Sequence, residues 1–137
     1  MKRLRSSCTA VSGYGTTSLV LWLCLCSLAS WSQPAPLHFS ESTWNGYPPV
    51  FTRASGTILI SEDEGSIAIQ GRNWKQTYRI VRRIMSEGGV TVYGCEARFR
   101  NGRVSYVIKH EATRRTLTLY PHNKYLKAST TFWLNPP

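Results

Sequence analysis

From Thr57 onward, apolar and polar residues alternate with the period of two that turns one face of a strand toward a core and the other toward water. Thr57 to Ile60 and Ser66 to Gln70 are β-branched runs joined by Glu62-Asp63-Glu64-Gly65, turn formers that end in glycine. Pairing Ile60 with Ile67 and Ile58 with Ile69 collects the isoleucines on one face and leaves Leu59 and Ala68 on the other. The acidic triplet lacks the length and alternate spacing of a calcium loop, so it reads as a solvated hairpin tip.

A second hairpin is predicted around Asn101-Gly102, a dipeptide suited to the positive φ angles of a two-residue type I′ connection. With Arg100 opposite Arg103, the register sets Phe99 against Val104, Ala97 against Tyr106, Cys95 against Ile108 and Tyr93 against His110, all on one side. The other side pairs Arg98 with Ser105, Glu96 with Val107 and Val92 with Glu111. A slip of one residue would exchange the two faces, so the separation of apolar from mainly polar pairs supports the assignment. Thr116 to Tyr120 is a further strand, and Pro121-His122-Asn123 turns the chain into a last one near Tyr125 to Leu134. The short link Ala112 to Arg115 keeps consecutive strands adjacent.

The segment 73–87 carries two conflicting signals. Trp74, Tyr78, Val81, Ile84 and Met85 recur at helical spacing, with Asn73 as an N-cap and Gly88-Gly89 as a stop. Thr77, Tyr78, Ile80, Val81 and Ile84 are instead residues that suit a pleated surface, and neighbouring strands favour that assignment. The predicted fold is therefore all-β, a small antiparallel meander of about seven strands forming a sandwich or partly open barrel. The alternative is an α+β domain with one helix at 73–87.

The N-terminal third has a different grain. Lys2, Arg3 and Arg5 precede the apolar run Leu19 to Leu28, which is shorter than the roughly 20 residues of a membrane-spanning helix. This matches a signal peptide at 1–32, cut after Ala29 or, preferably, after Ser32, with no transmembrane segment left after processing. Residues 33–56, with Pro34, Pro36, Pro48 and Pro49, are expected to form a proline-rich loop or arm anchored by Phe39, Trp44, Tyr47 and Phe51. A single β domain is expected at 57–137. Cys8, Cys24 and Cys26 fall in the leader, so Cys95 has no intramolecular disulfide partner, and its inward position makes it a raised-pKa, unreactive thiol.

Export and charge together direct the functional expectation. Without Lys2, Arg3 and Arg5, fourteen of the seventeen basic residues face seven acids. A basic protein that is secreted or periplasmic is drawn to anionic surfaces, polysaccharide or an acidic protein partner, and no specific nucleic acid target is expected. The leading expectation is a noncatalytic binding or interaction module, with Arg79, Arg82, Arg83, Arg98, Arg100 and Arg103 as anion-contacting residues. His38, His110 and His122 lack metal-ligand spacing, and there is no nucleophile elbow, phosphate loop or dinucleotide fingerprint, so neither metal nor cofactor is expected. His110 opposite Tyr93 is the one pair with a catalytic aspect, and a core histidine satisfied by the tyrosine hydroxyl accounts for it better.

Gly71-Arg72-Asn73-Trp74 resembles the Gly-x-Trp signature that opens lipocalin-type barrels, with one more residue between glycine and tryptophan. No family membership is drawn from it. A carrier of apolar small ligands with a lipocalin-like cavity is the second expectation, with Tyr78, Tyr93, Phe99, Tyr106 and Trp133 as possible lining. An enzyme with an unfamiliar site is the third.

Overall fold

Alternation of buried and exposed positions produces nine strands and no helix among the described residues. They are β1 (Leu37–Trp44), β2 (Val50–Thr52), β3 (Gly56–Ser61), β4 (Ser66–Gly71), β5 (Lys75–Glu87), β6 (Val90–Phe99), β7 (Gly102–Glu111), β8 (Thr116–Pro121) and β9 (Thr130–Leu134). The computed structural model describes residues 33–122 and 128–137. The leader predicted at 1–32 lies outside the described residues, as do positions 125–127 of the last predicted strand.

From β3 each strand pairs antiparallel with the next, and β9 returns to β1, closing an eight-stranded barrel in which β2 is an additional strand along β1. Closure leaves the meander with almost no unpaired edge, which answers the sandwich-or-open-barrel question in favour of a barrel. The first hairpin has the predicted register, Ile60 opposite Ile67 and Ile58 opposite Ile69. The α+β alternative is corrected: 75–87 is strand. Register shifts between Ile80 and Arg82 and between Arg83 and Met85 each insert an extra residue. These two bulges re-phase the alternation, which is why the apolar positions imitate a helical repeat.

Two other expectations need correction. Residues 33–56 are not only an arm, because β1 is a barrel strand whose Phe39 is buried to 1% exposure. The prolines flank β1 and β2 without interrupting either, at places where a missing N–H costs no ladder bond. The second hairpin turns at Arg100-Asn101, one residue early, with Phe99 opposite Gly102. Gly102, not Asn101, takes the positive φ of 131°, so the type I′ turn is absent. The strands slide by two residues: Cys95 faces Tyr106, Tyr93 faces Ile108 and Thr91 faces His110. An even shift keeps every side chain on its predicted face.

The barrel interior is solid at its middle. Ile58, Ile67, Ile69, Ile108 and Leu117 have no accessible surface. A void able to hold water beside any of them would expose some. Phe39 and Phe132 meet edge to face at 4.8 Å between β1 and β9, and Tyr78, Tyr93, Cys95, Ala97 and Leu119 complete the core.

Candidate anion-binding site

The antiparallel meander sends alternate loops to opposite ends of the barrel, and charge separates with them. The β3–β4, β5–β6 and β7–β8 connections and the strand ends beside them carry Glu62, Asp63, Glu64, Glu87 and Glu111, five of the seven acids in the chain. Arg114 and Arg115 share that end. The β4–β5 and β6–β7 connections and the strand ends beside them carry Arg72, Lys75, Arg98, Arg100 and Arg103 and no acid.

Within the basic end, register gathers three of the six predicted arginines. Arg98 stands directly across from Arg103, and Arg79 across from Glu96. Together with Thr77 and Ala97 they line an outward-facing depression of ≈ 270 Å³ between β5, β6 and β7. Arg79 donates from Nη2 to Glu96 Oε2 at 2.9 Å, which holds its guanidinium at the rim. Arg98 and Arg103 belong to neither this nor the other two ion pairs among the described residues. Like charges directly opposite on a ladder repel, so the pair is poised for an anion placed between them. Three guanidinium groups and one carboxylate leave the depression with a surplus of positive charge.

The remaining arginines lie elsewhere. Arg82 lines a neighbouring hollow that also touches Glu96. Arg100 is exposed in the turn. Arg83 faces the acidic end, where its Nη1 donates to Glu62 Oε2 at 3.2 Å. Sequence reasoning missed Thr77 and Glu96 as lining residues, although Thr77 and Arg79 fall on one face of β5 as soon as that segment is read as strand.

The predicted aromatic lining does not surround a common cavity. Tyr78 and Tyr93 are buried in the core, Tyr106 packs edge-on against Tyr78 at 5.1 Å, and Phe99 is exposed. Trp133 stands exposed and donates its Nε1–H to Thr43 Oγ1 at 3.0 Å. Because Phe132 beside it points inward, this ring lies on the outer face.

The Tyr93–His110 pair is also corrected, since the two-residue slide separates them. Tyr93 donates its hydroxyl proton to Glu62 Oε1 at 2.7 Å. Burial, then the bond to Glu62, pushes the phenol well above its usual range, so it is no acid or base near neutral pH. Burial lowers the pKa of His110. Burial likewise pushes the Cys95 thiol from its ordinary 9.0 up to about 11. At pH 8 its thiolate fraction is then about a hundredfold below that of an ordinary thiol. Iodoacetamide labelling followed by peptide mass analysis is expected to leave Cys95 unmodified under conditions that alkylate a free peptide thiol; rapid labelling would contradict its inward position.

No family model matches the chain, and no curated protein or solved structure matches it either.

Proposed function

We propose that the protein is a noncatalytic binding module, secreted or periplasmic, whose basic barrel end engages an anionic envelope component or an acidic protein partner. The observation that carries this reading is the depression formed by Arg79, Arg98 and Arg103, in which an arginine pair outside every ion pair among the described residues faces outward. Its ≈ 270 Å³ is smaller than a typical small-molecule pocket and open to solvent, which suits one sulfate, phosphate or carboxylate group displayed on a larger molecule. The charge separation between barrel ends adds long-range orientation, turning the basic end toward a negative surface before contact.

The test compares two double neutralisations of equal net charge in protein purified from cells expressing the full chain. Each cation near an anionic surface contributes about 1 kcal/mol, so Arg98→Gln with Arg103→Gln is expected to weaken binding to a sulfated polysaccharide matrix about thirtyfold at low salt. Arg114→Gln with Arg115→Gln, at the acidic end, is expected to weaken it only a few-fold. Equal losses from the two pairs would reduce the effect to net charge and remove the site.

A further inference from the structure

Apolar surface divides between the barrel ends as charge does. The loops and strand ends of the basic end expose Trp44, Tyr47, Val50, Phe51, Trp74 and Phe99, half of the exposed large hydrophobic side chains among the described residues. The connections of the opposite end, 62–65, 88–89 and 112–115, carry no large hydrophobic residue. Exposed hydrophobics scattered singly are ordinary, but six gathered on the β1–β2, β4–β5 and β6–β7 turns mark a contact surface. Two of them cover the barrel mouth. The Trp74 ring lies over Gly71 and 6.5 Å from the core ring of Phe132, and Phe99, on the same face of β6 as buried Ala97, lies 6.5 Å from Tyr106. Tyr47 and Phe51 stand out into solvent instead, at 99% and 75% exposure. Pro48 and Pro49 lie between them and restrict the backbone, so little further freedom is lost when this loop is held against a partner.

We propose that the basic end docks on a lipid bilayer displaying anionic headgroups, its aromatic side chains entering the headgroup layer while its cations pair with lipid phosphates. This rests on the reading of that end as an anion-binding surface and names its partner. The placement of the apolar groups makes the choice. They sit on three separate loops around the mouth of a barrel, so a partner that touches all of them is broad and nearly flat. It is also negative, because Trp74 stands between Arg72 and Lys75 in the chain and Phe99 between Arg98 and Arg100, and no acid lies on these loops or the strand ends beside them. A bilayer with anionic headgroups has both properties. Aromatic side chains favour its interfacial layer, and each nearby cation adds an attraction that salt weakens. An acidic polysaccharide offers the charge without the apolar depth. In this orientation the acidic loops point away from the membrane, so the charge separation along the barrel also sets which end arrives first.

The test is sedimentation with lipid vesicles at low salt, using protein purified from cells expressing the full chain. Vesicles of equal parts phosphatidylcholine and phosphatidylglycerol are expected to be bound at least about a hundredfold more tightly than phosphatidylcholine alone. Tyr47→Ser with Phe51→Ser removes two rings that the fold leaves exposed, and is expected to weaken binding to the mixed vesicles at least about tenfold with no change in melting temperature. Tyr47→Trp with Phe51→Trp is expected to bind at least as tightly as the parent. All three proteins share residues 1–32 or their remnant, so differences between them report on the barrel end. Retention on a sulfated polysaccharide matrix is expected to be equal in the three. A serine variant that binds the mixed vesicles as tightly as the parent, or that loses as much on the matrix as on the vesicles, overturns the membrane assignment and leaves the anion-binding reading standing. So does a parent protein held by the matrix and not by the mixed vesicles. A parent held by neither removes both.

Discussion

Phe132→Ala is expected to lower the stability of the barrel by about 3–5 kcal/mol, the cost of removing a large aromatic ring from a packed core. Phe132 lies on β9, opposite Leu117 of β8 and Ser42 of β1, at the seam where the last strand meets the first. Its ring packs on Phe39 at 4.8 Å and lies 6.5 Å from Trp74, so truncation leaves a space that three elements must collapse to fill. A closed barrel resists such collapse, because moving β9 inward breaks ladders on both sides. With a total stability of about 5–15 kcal/mol for a domain of this size, a drop of about 15–30 °C in melting temperature is expected. Thermal and urea unfolding followed by circular dichroism would measure it. A loss under about 1 kcal/mol would place the ring outside the core.

Gly56→Val is expected to cost about 3 kcal/mol, by crowding instead of by a cavity. Gly56 pairs with Phe39 across β1 and with Gly71 across β4. A β-carbon there would collide with the Gln70 carbonyl oxygen and with the ring of Phe39. The aromatic ring occupies the space a side chain would take, a cross-strand arrangement that lets the sheet bend sharply. Relief requires displacing either the β4 backbone or a core phenyl ring. Gly94→Ala makes the comparison: its added carbon would sit 3.3 Å from Arg82 Cγ, part of a flexible exposed side chain, so the change is expected to be nearly neutral to stability. Similar losses at the two glycines, measured by the same unfolding curves, would show that backbone flexibility and not close approach governs Gly56.

The two substitutions probe parts of the fold that differ in how far they can be read from residue order. Strand identity and facing follow from the period of two, and they survive even where the pairing differs, as at Cys95, which stays inward after its partner changes from Ile108 to Tyr106. Facing is a property of each strand alone. Pairing is not: the β6–β7 register depends on which residue absorbs a positive φ at the turn, and Gly102 does so in place of Asn101. That slide of two is what puts Arg98 against Arg103 and moves His110 away from Tyr93.

The candidate site shows the same division. Its arginines are visible as a basic, alternating stretch, but six cations along three strands do not say which three converge. Arg79, Arg98 and Arg103 meet because the β5–β6 ladder holds its register up to Ile80, whereas Arg83 lies beyond a bulge that turns it toward Glu62. Phe39 is instructive for a different reason. Prolines on either side of 37–44 made that segment look irregular, and only closure of the barrel supplied β9 and β3 as the partners that make it a strand.

Alternation along the chain favoured an all-β protein while leaving 73–87 open to a helix, and it was enough for the inward faces of the two hairpins, a buried thiol and an excess of cations. Barrel closure, bulge positions, hairpin register, and hence the arginines that share a depression, were decided in three dimensions. The physical reason is that alternation is a short-range property of each strand, whereas register and closure minimise the energy of all the ladders and the common core at once.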